Sequence, residues 1–137
     1  MFNAKNSKIQ GNIGIGKAIS YFTSLHQIVS IPLNDSQDYD LIVDDGKELK
    51  RVQVKTTGHK NPSGSYEALL KTSGGNSSWN GVAKFFNTNK VEILFIMCDN
   101  SDCYCIPTSI IKNTSTITVD KKYKEYKILG DISHACL

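Results

Sequence analysis

The chain has 137 residues, which suits one domain, and its 39% hydrophobic and 21% charged residues form an ordinary globular composition. No apolar run approaches the roughly 18 residues of a membrane span, and the first twelve residues lack the apolar stretch of a signal peptide. The formal net charge of +3 permits nucleic acid as a partner without demanding it. We therefore expect one cytoplasmic domain over residues 1–137, with no membrane association.

The first predicted element is a helix over residues 13–25. Its apolar residues recur at helical spacing and share one face, namely Ile15, Ala18, Ile19, Phe22 and Leu25. Residues 26–33, "HQIVSIPL", then predict a strand that Pro32 ends.

The start of this helix, "GNIGIGK", has the G-x-x-x-x-G-K spacing of a nucleotide-binding loop. That loop requires a preceding buried strand and a Ser or Thr after the lysine, whose hydroxyl binds magnesium. Here the preceding residues are polar and Ala18 follows Lys17. We therefore expect no nucleotide site; the glycines instead allow the helix to begin close to a neighbouring backbone, with Lys17 on its polar side.

A hairpin is predicted over residues 38–57, because apolar residues alternate in both arms around Asp45-Gly46. If the turn runs from Asp45 to Glu48, Asp44 faces Leu49 and Asp40 faces Gln53. Since side chains alternate along a strand, Asp40, Gln53 and Lys55 then share one face. Val52 and Val54 point the other way, into a core.

The remainder of the chain predicts loops and short elements around one strong strand. Loops are expected at 58–65 and 73–80, a short strand at 66–72 and a helical turn at 81–87. Residues 90–99, "KVEILFIMCD", predict the central strand. A strand at 103–107, a short helix begun by Thr108 or Ser109 and an edge strand at 115–120 follow. This order predicts an α+β, or mixed α/β, fold with a central mixed β-sheet and flanking helices.

Four cysteines are present, Cys98, Cys103, Cys105 and Cys136. The C-x-C spacing of Cys103 and Cys105 differs from the C-x2-C of zinc sites, and only His134 lies near them in sequence. This pattern favours reduced thiols in strands over a structural metal.

The polar face of the hairpin has two interpretations, a solvated sheet face or a metal site. A carboxylate and an amide oxygen are hard ligands that suit magnesium, and a lysine beside the metal can orient a water or stabilise a pentavalent phosphorus. Charge order supports the metal site: residues 34–48 contain six acids and one base, whereas residues 50–60 contain four bases and no acid. A carboxylate site bordered by a basic strip suits a phosphodiester substrate.

The segments "YDLIVDDG" and "RVQVKT" resemble the core of PD-(D/E)XK nucleases, a superfamily that includes restriction enzymes and Holliday-junction resolvases. The wider frame of "GNIGIGKAISYF", "VSIPLNDSQDYDLIVDDG" and "RVQVKTT" resembles bacterial homing endonucleases encoded in group I introns. This resemblance covers roughly residues 10–110 and implies the restriction-endonuclease-like fold.

The resemblance assigns roles residue by residue. Asp40 is the metal-binding aspartate, Gln53 occupies the second acidic position, and Lys55 is the catalytic lysine, with the Val54 carbonyl as a third ligand for Mg²⁺ or Mn²⁺. The implied activity is metal-dependent hydrolysis of double-stranded DNA at a specific sequence. We expect a homodimer or homotetramer, because so small a domain reads a long target only by assembling.

Further residues are candidates for contact with DNA. The basic strip and its flanks predict phosphate contacts from Arg51, Thr57, His59, Lys60 and Lys71. The stretch "KKYKEYK", residues 121–127, mixes lysines with tyrosines in a way that can follow a nucleic-acid backbone, although a solvated surface is the favoured interpretation.

One position departs from the family pattern. The homing branch often carries a glutamate on the first helix, in the form G-x-x-G-E, and Ile15 stands at that place here. Three interpretations stay open: a weaker metal site, substitution by another acid such as Asp44 or Glu67, or a catalytically impaired chain that still binds DNA. A junction resolvase remains the alternative enzyme.

Overall fold

The computed structural model describes residues 6–70, 72–73, 83–84, 90–112 and 114–130, with the backbone alone for 72–73 and 83–84. The two α-helices are α1 (Ser7–Ser24) and α2 (Val119–Lys122), and 3-10 turns lie at Thr108–Ile110 and Lys124–Tyr126. Within these ranges no helix combines the length and apolar character that crossing a bilayer requires. The strands are β1 (Ile28–Ser30), β2 (Leu41–Asp44), β3 (Leu49–Thr57), β4 (Glu67–Leu69), β5 (Thr72–Ser73), β6 (Ala83–Lys84), β7 (Ile93–Cys98), β8 (Cys103–Pro107) and β9 (Thr116–Thr118).

A five-stranded mixed sheet forms the centre of the fold, in the order β1-β2-β3-β7-β8. Strands β3 and β7 are parallel, and the other neighbours are antiparallel. Two small sheets, β4-β9 and β5-β6, accompany it. The predicted α+β class and the central position of the strand in residues 90–99 are therefore confirmed.

The central sheet is covered on both faces, by two separate hydrophobic clusters. On one face α1 packs through Ala18 and Phe22 against residues of β2, β3, β7 and β8. On the other face, residues of β4, β9 and α2 pack against β7 and β8, through Ala68, Ile117 and Val119 among others. Alternate residues of one strand therefore enter different cores.

The predicted hairpin register is confirmed. Asp44 pairs with Leu49 and Leu41 pairs with Val52, which leaves Asp45–Glu48 as the connecting turn. Asp44 Oδ1 accepts a hydrogen bond from the Gly46 N–H at 2.8 Å, and Gly46 has φ +88°, which favours glycine. The turn chemistry thus sets which side chains of β3 share a face with residues of β2.

Other expectations differ in their outcome. The helix begins at Ser7, six residues before the predicted start, because its polar first turns continue the same backbone hydrogen bonding. Ala83–Lys84 form a strand paired with Thr72–Ser73, so the helical turn predicted at 81–87 is wrong there. Residues 74–82 and 85–89, which include the rest of that turn and most of the second predicted loop, lie outside the described residues.

Three of the four cysteines lie in strands, as predicted. Cys98, Cys103 and Cys105 are free thiols in β7 and β8. Burial raises the pKa of Cys98 to about 12 and that of Cys103 to about 11, so both are held as neutral thiols. Cys136 and His134 lie outside the described residues.

The helix approaches β3 closely at one glycine. A Cβ on Gly14 would lie 2.5 Å from Thr56 Cγ2 and 3.3 Å from Val54 Cγ1. Gln10, one turn earlier, donates a hydrogen bond to Thr56 Oγ1 at 3.0 Å. The close approach therefore occurs at Gly14, within the helix, and it is to the side chains of Thr56 and Val54 rather than to a neighbouring backbone, whereas Gly11 and Gly16 have open space around them.

Alanine substitutions at Gly14 and Gly16 should change the free energy of unfolding in opposite directions. Gly14→Ala should lower the free energy of unfolding by about 1–3 kcal/mol, because the methyl group overlaps Thr56 and Val54. Gly16→Ala meets no neighbouring atom and should raise the stability by up to about 1 kcal/mol, the helix-propensity difference between alanine and glycine. Urea unfolding of both variants measures this, and equal shifts of the same sign would show that α1 does not contact β3 at Gly14.

Candidate active site

The candidate site lies at the edge of β3 where its neighbour β2 begins. The last paired residues are Leu41 and Val52, and β3 continues to Thr57 without a β2 partner. Asp40 is placed at this junction by a hydrogen bond from its N–H to the Val52 carbonyl, 2.8 Å long. Its side chain therefore extends along an edge of β3 that no other strand of the described residues occupies.

Asp40 is bound to β3 through one carboxylate oxygen. Oδ2 accepts a hydrogen bond from the Val54 N–H at 2.8 Å and another from Gln53 Nε2 at 2.9 Å. The alternation of β3 places Gln53 and Lys55 on the same face, opposite Leu94 and Ile96 of β7. The structure thus brings Asp40, Gln53 and Lys55 together, on the sheet face away from α1.

The two charged groups of the site influence each other. Burial raises the pKa of Asp40, while the Val54 N–H and the charge of Lys55 act in the opposite direction. Burial lowers the pKa of Lys55, partly offset by the charge of Asp40. Desolvation is the larger cause in both groups, so each is held in a partly buried position where its charged form is costly. Such perturbed pairs are typical of functional sites.

The donor set suits a hard divalent cation. Asp40 supplies a carboxylate, and the Val54 C=O lies on the same side of β3 as the N–H that Asp40 accepts. Gln53 turns its NH₂ group towards Asp40, so its amide oxygen becomes a ligand only after the amide rotates. Oxygen ligands of this kind fit Mg²⁺ or Mn²⁺ rather than a soft metal.

Asp40 brings a single negative charge to this donor set. In the described part of the chain, no group of three or more His, Cys, Asp or Glu side chains is placed to hold a metal. Ile15 packs against the cluster between α1 and the sheet, so an apolar side chain stands where the family pattern carries a glutamate. We expect a site that binds its metal more weakly than one with two carboxylates.

Asp44 and Glu67, the acids considered as replacements for the missing glutamate, have other contacts in the structure. Asp44 lies four residues from Asp40 along β2, about 13 Å away at the usual strand rise, and its carboxylate accepts the Gly46 N–H. The Glu67 carboxylate lies 3.9 Å from His59 Nε2. The Glu67 carbonyl accepts the Thr57 hydroxyl, which places Glu67 beyond Lys55 along β3.

The residues predicted to contact DNA differ in how accessible their side chains are. Arg51 is held by Glu92, with its Nη2 2.6 Å from Oε1, so a carboxylate already neutralises its charge. Thr57 is 6% exposed and its hydroxyl donates to the Glu67 carbonyl, which leaves it no outward donor. His59 and Lys60 are exposed in the loop after β3, and Lys71 lies outside the described residues.

Glu92 is the residue that sequence reasoning missed. It accepts hydrogen bonds from the Arg51 backbone N–H at 2.7 Å and from the Arg51 guanidinium. It lies 41 positions from Arg51, just before β7, and no local pattern links the two. Only the parallel pairing of β3 with β7 brings them together.

Comparisons with known proteins agree with this fold. The family model described as PD-(D/E)XK endonuclease matches residues 5–129. The solved structure of the bacterial homing endonuclease I-Ssp6803I superposes with a TM-score of 0.72 and 25% sequence identity, covering 88% of this chain and 87% of that one. A search of curated proteins found no match. The family model spans nearly the whole chain, and the fold is that of a homing endonuclease of this type; the chain belongs to the PD-(D/E)XK endonuclease family.

Proposed function

We propose that this chain is a site-specific endonuclease of the homing type, which hydrolyses phosphodiester bonds in double-stranded DNA with Mg²⁺ or Mn²⁺ in the cytoplasm. The observation that carries this proposal is the meeting of Asp40, Gln53 and Lys55 at the free edge of β3. Membership of an endonuclease family supports the nuclease activity, and the likeness to a homing endonuclease supports the homing type.

The proposed metal ligands are the second carboxylate oxygen of Asp40, the Val54 carbonyl and, after rotation of its amide, the oxygen of Gln53. These residues would hold a divalent cation, which would supply polarisation of a phosphoryl oxygen and a lowered pKa for a bound water. The bond from the Val54 N–H keeps the Asp40 carboxylate in one orientation, so the free oxygen is directed away from the strand. Gln53, which adds no charge, contributes position rather than electrostatic attraction.

Lys55 lies beside this carboxylate on the face that the substrate would occupy. We assign it two tasks: it orients the attacking water by hydrogen bonding, and it stabilises the negative charge that develops on the phosphate. Partial burial strengthens both effects, because water does not screen the ammonium group.

The proposed phosphate contacts are His59, Lys60 and Lys71. The pairing of Arg51 with Glu92 and the burial of Thr57 give both residues structural roles, so neither is retained. A homodimer or homotetramer remains our proposal for the assembly, since one domain of this size spans only part of a long target.

A cleavage assay tests the function. The protein is incubated with supercoiled plasmids that carry randomised inserts, with Mg²⁺ or with EDTA, and the ends produced are sequenced. We expect recurrent breaks at one sequence with Mg²⁺ and none with EDTA. Preferential cutting of four-way junctions over linear duplex would identify a junction resolvase instead, and binding without any cutting would identify an impaired DNA-binding protein, which Ile15 favours.

A glutamate at position 15 should strengthen the metal site. Ile15 packs on the α1 side of the sheet, whereas Asp40 lies at the edge of β3, so a glutamate at position 15 joins the site only if its side chain extends to that edge. The family pattern implies that it does, and we therefore expect Ile15→Glu to bind Ca²⁺ about 10-fold more tightly and to reach maximal cleavage at lower Mg²⁺. Ile19→Glu is the matched control, because Ile19 lies one turn further along α1 and packs against the same cluster. Calorimetric titration with Ca²⁺ compares the two variants; an equal change in both would exclude position 15 from the metal site.

A further inference from the structure

The loop between β3 and β4 has a defined shape. The Asn61 side-chain oxygen accepts hydrogen bonds from the backbone N–H of Ser63 and of Ser65, both at 3.1 Å, and from the Ser63 hydroxyl at 2.7 Å. Gly64 has φ +81°, and its N–H donates to the Asn61 carbonyl. These bonds therefore hold the backbone of residues 61–65 in one conformation.

The short helix α2 is attached directly to this loop. Lys121 Nζ lies 3.2 Å from Ser63 Oγ, and Asp120 Oδ1 accepts the Tyr66 N–H at 3.1 Å. The Val119 N–H donates to the Tyr66 carbonyl at 3.0 Å. Two segments more than fifty residues apart in sequence thus form one continuous surface, which we call the loop-α2 surface (residues 58–66 and 119–124).

This surface collects lysines whose charges no carboxylate of the described residues neutralises directly. Elsewhere many cations are paired: Lys50 with Asp45 and Glu48, Arg51 with Glu92, Lys90 with Asp38, and Lys127 with Asp102. Four exposed lysines of the loop-α2 surface have no ion pair with any described residue, namely Lys60, Lys121, Lys122 and Lys124. Arg51, the phosphate contact predicted on the hairpin, is therefore neutralised by Glu92, whereas these four lysines keep their positive charge.

The acids near these lysines are largely occupied. Asp99 accepts the Tyr66 hydroxyl at 2.6 Å, which raises the pKa of Tyr66 to about 12, and Asp120 accepts the Tyr66 N–H. Glu67 lies against His59. The exposed Glu125 is the acid of this region without such a partner among the described residues.

The tyrosines of the surface are unable to stack on bases. Tyr66 is 7% exposed and Tyr123 is 4% exposed, and both belong to a hydrophobic core, against which Tyr126 also packs. Binding to unpaired bases relies on exposed aromatic rings, which this surface lacks within its described residues. Its chemistry instead matches the regular phosphate charges of a duplex.

The surface lies on the active face of the sheet. Lys55 and Thr57 point to the face covered by β4 and α2, and the loop continues directly from Thr57. Lys60 lies five positions after Lys55, so their Cα atoms are at most about 18 Å apart. That upper limit corresponds to about five base pairs of duplex, at 3.4 Å per step, so Lys60 lies within about five base pairs of Lys55.

We propose that the loop-α2 surface binds the phosphate backbone of duplex DNA beside the cut, several base pairs from the scissile bond. This inference rests on the proposed function and extends it, because Lys121, Lys122 and Lys124 join Lys60 in one sequence-independent contact region. It holds the duplex in place, while Asp40 and Lys55 act on one phosphodiester.

Salt-dependent binding tests the proposal. A triple variant, Lys121→Gln, Lys122→Gln and Lys124→Gln, is compared with a matched triple variant of lysines elsewhere, Lys8→Gln, Lys47→Gln and Lys112→Gln. Affinity for a 40-base-pair duplex is measured in EDTA over a series of salt concentrations, after thermal unfolding has shown both variants to be folded. We expect the first variant to bind at least 10-fold more weakly at low salt, with a slope of log K against log [salt] reduced by about 1 for each lysine that contacts phosphate.

Several results would overturn the proposal. An unchanged affinity and slope in the first variant would show that the loop-α2 surface does not bind DNA. An equal loss of affinity in both variants would show that net charge alone, and not this surface, accounts for the effect. Equal competition by single-stranded DNA of the same length would exclude the duplex as the preferred partner. If the unaltered chain binds no DNA, both the proposed function and the proposed role of the loop-α2 surface are wrong.

Discussion

Lys55→Met is expected to reduce single-turnover DNA cleavage by about 1,000-fold while leaving the fold and DNA binding in place. Removal of one preorganised cation or hydrogen-bond donor from an active site typically costs 100- to 1,000-fold, and loss of its role in positioning water adds to this. Methionine preserves the length of the aliphatic chain, so packing beside Ile96 is kept. The burial that lowers the pKa of Lys55 also makes its charged ammonium group unfavourable for the free energy of folding. Removing that group should therefore not destabilise the protein.

Lys50→Met is the matched control for this variant. Lys50 lies on the same strand, but its amine contacts Asp45 at 3.2 Å and Glu48 at 3.4 Å near the hairpin turn. We expect cleavage by Lys50→Met to stay within a few-fold of the unaltered chain, because surface ion pairs contribute little. Similar cleavage rates for both methionine variants would remove Lys55 from the mechanism.

Asp40→Asn is expected to abolish metal binding and cleavage together. Asparagine keeps an oxygen that accepts the Val54 N–H, but it removes the carboxylate charge that Asp40 brings to the donor set. We expect Ca²⁺ affinity to fall by about 100-fold or more, since attraction between a divalent cation and a partly buried carboxylate amounts to several kcal/mol. Calorimetry with Ca²⁺ and cleavage with Mg²⁺ measure the two losses in parallel.

The same variant should be at least as stable as the unaltered chain. Because burial raises the pKa of Asp40 in the folded state, the folded protein holds this proton more tightly than the unfolded chain does. The stability that this preference contributes is present at acidic pH and is lost as the pH rises through the folded-state pKa. Asp40→Asn escapes this loss, so its melting temperature without metal should match or exceed that of the unaltered chain at pH 7, with the difference shrinking towards pH 3.

Asp38→Asn controls for a general effect of removing an acid. Asp38 lies two residues earlier and pairs with Lys90 on the surface at 3.2 Å. Its loss should leave Ca²⁺ affinity unchanged and shift the melting temperature little. A clear drop in stability for Asp40→Asn at pH 7, larger than that of Asp38→Asn, would show that the Asp40 carboxylate stabilises the fold instead of being held there for function.

The hairpin that carries the site was readable from local sequence. Alternating apolar residues defined the two arms, and a turn over Asp45–Glu48 predicted the register that the structure has. Register then placed Asp40 opposite Gln53, because a shift by one residue would have exposed Val52 and Val54 to water. Local patterns also identified the core face of α1 and the central strand β7, although the helix start was wrong by six residues.

Local sequence did not predict which basic residues remain unpaired on the surface. Arg51 looked available until β7 placed Glu92 beside it, and the stretch at 121–127 looked like an isolated solvated surface until α2 met the loop after β3. Both contacts join residues distant in the chain, so no periodicity or turn signal encodes them. Side-chain alternation and turn geometry act over a few residues, so they made the shared face of Asp40, Gln53 and Lys55 predictable. Which charges are neutralised and which remain exposed depends on how distant segments pack, and only the tertiary structure decided that.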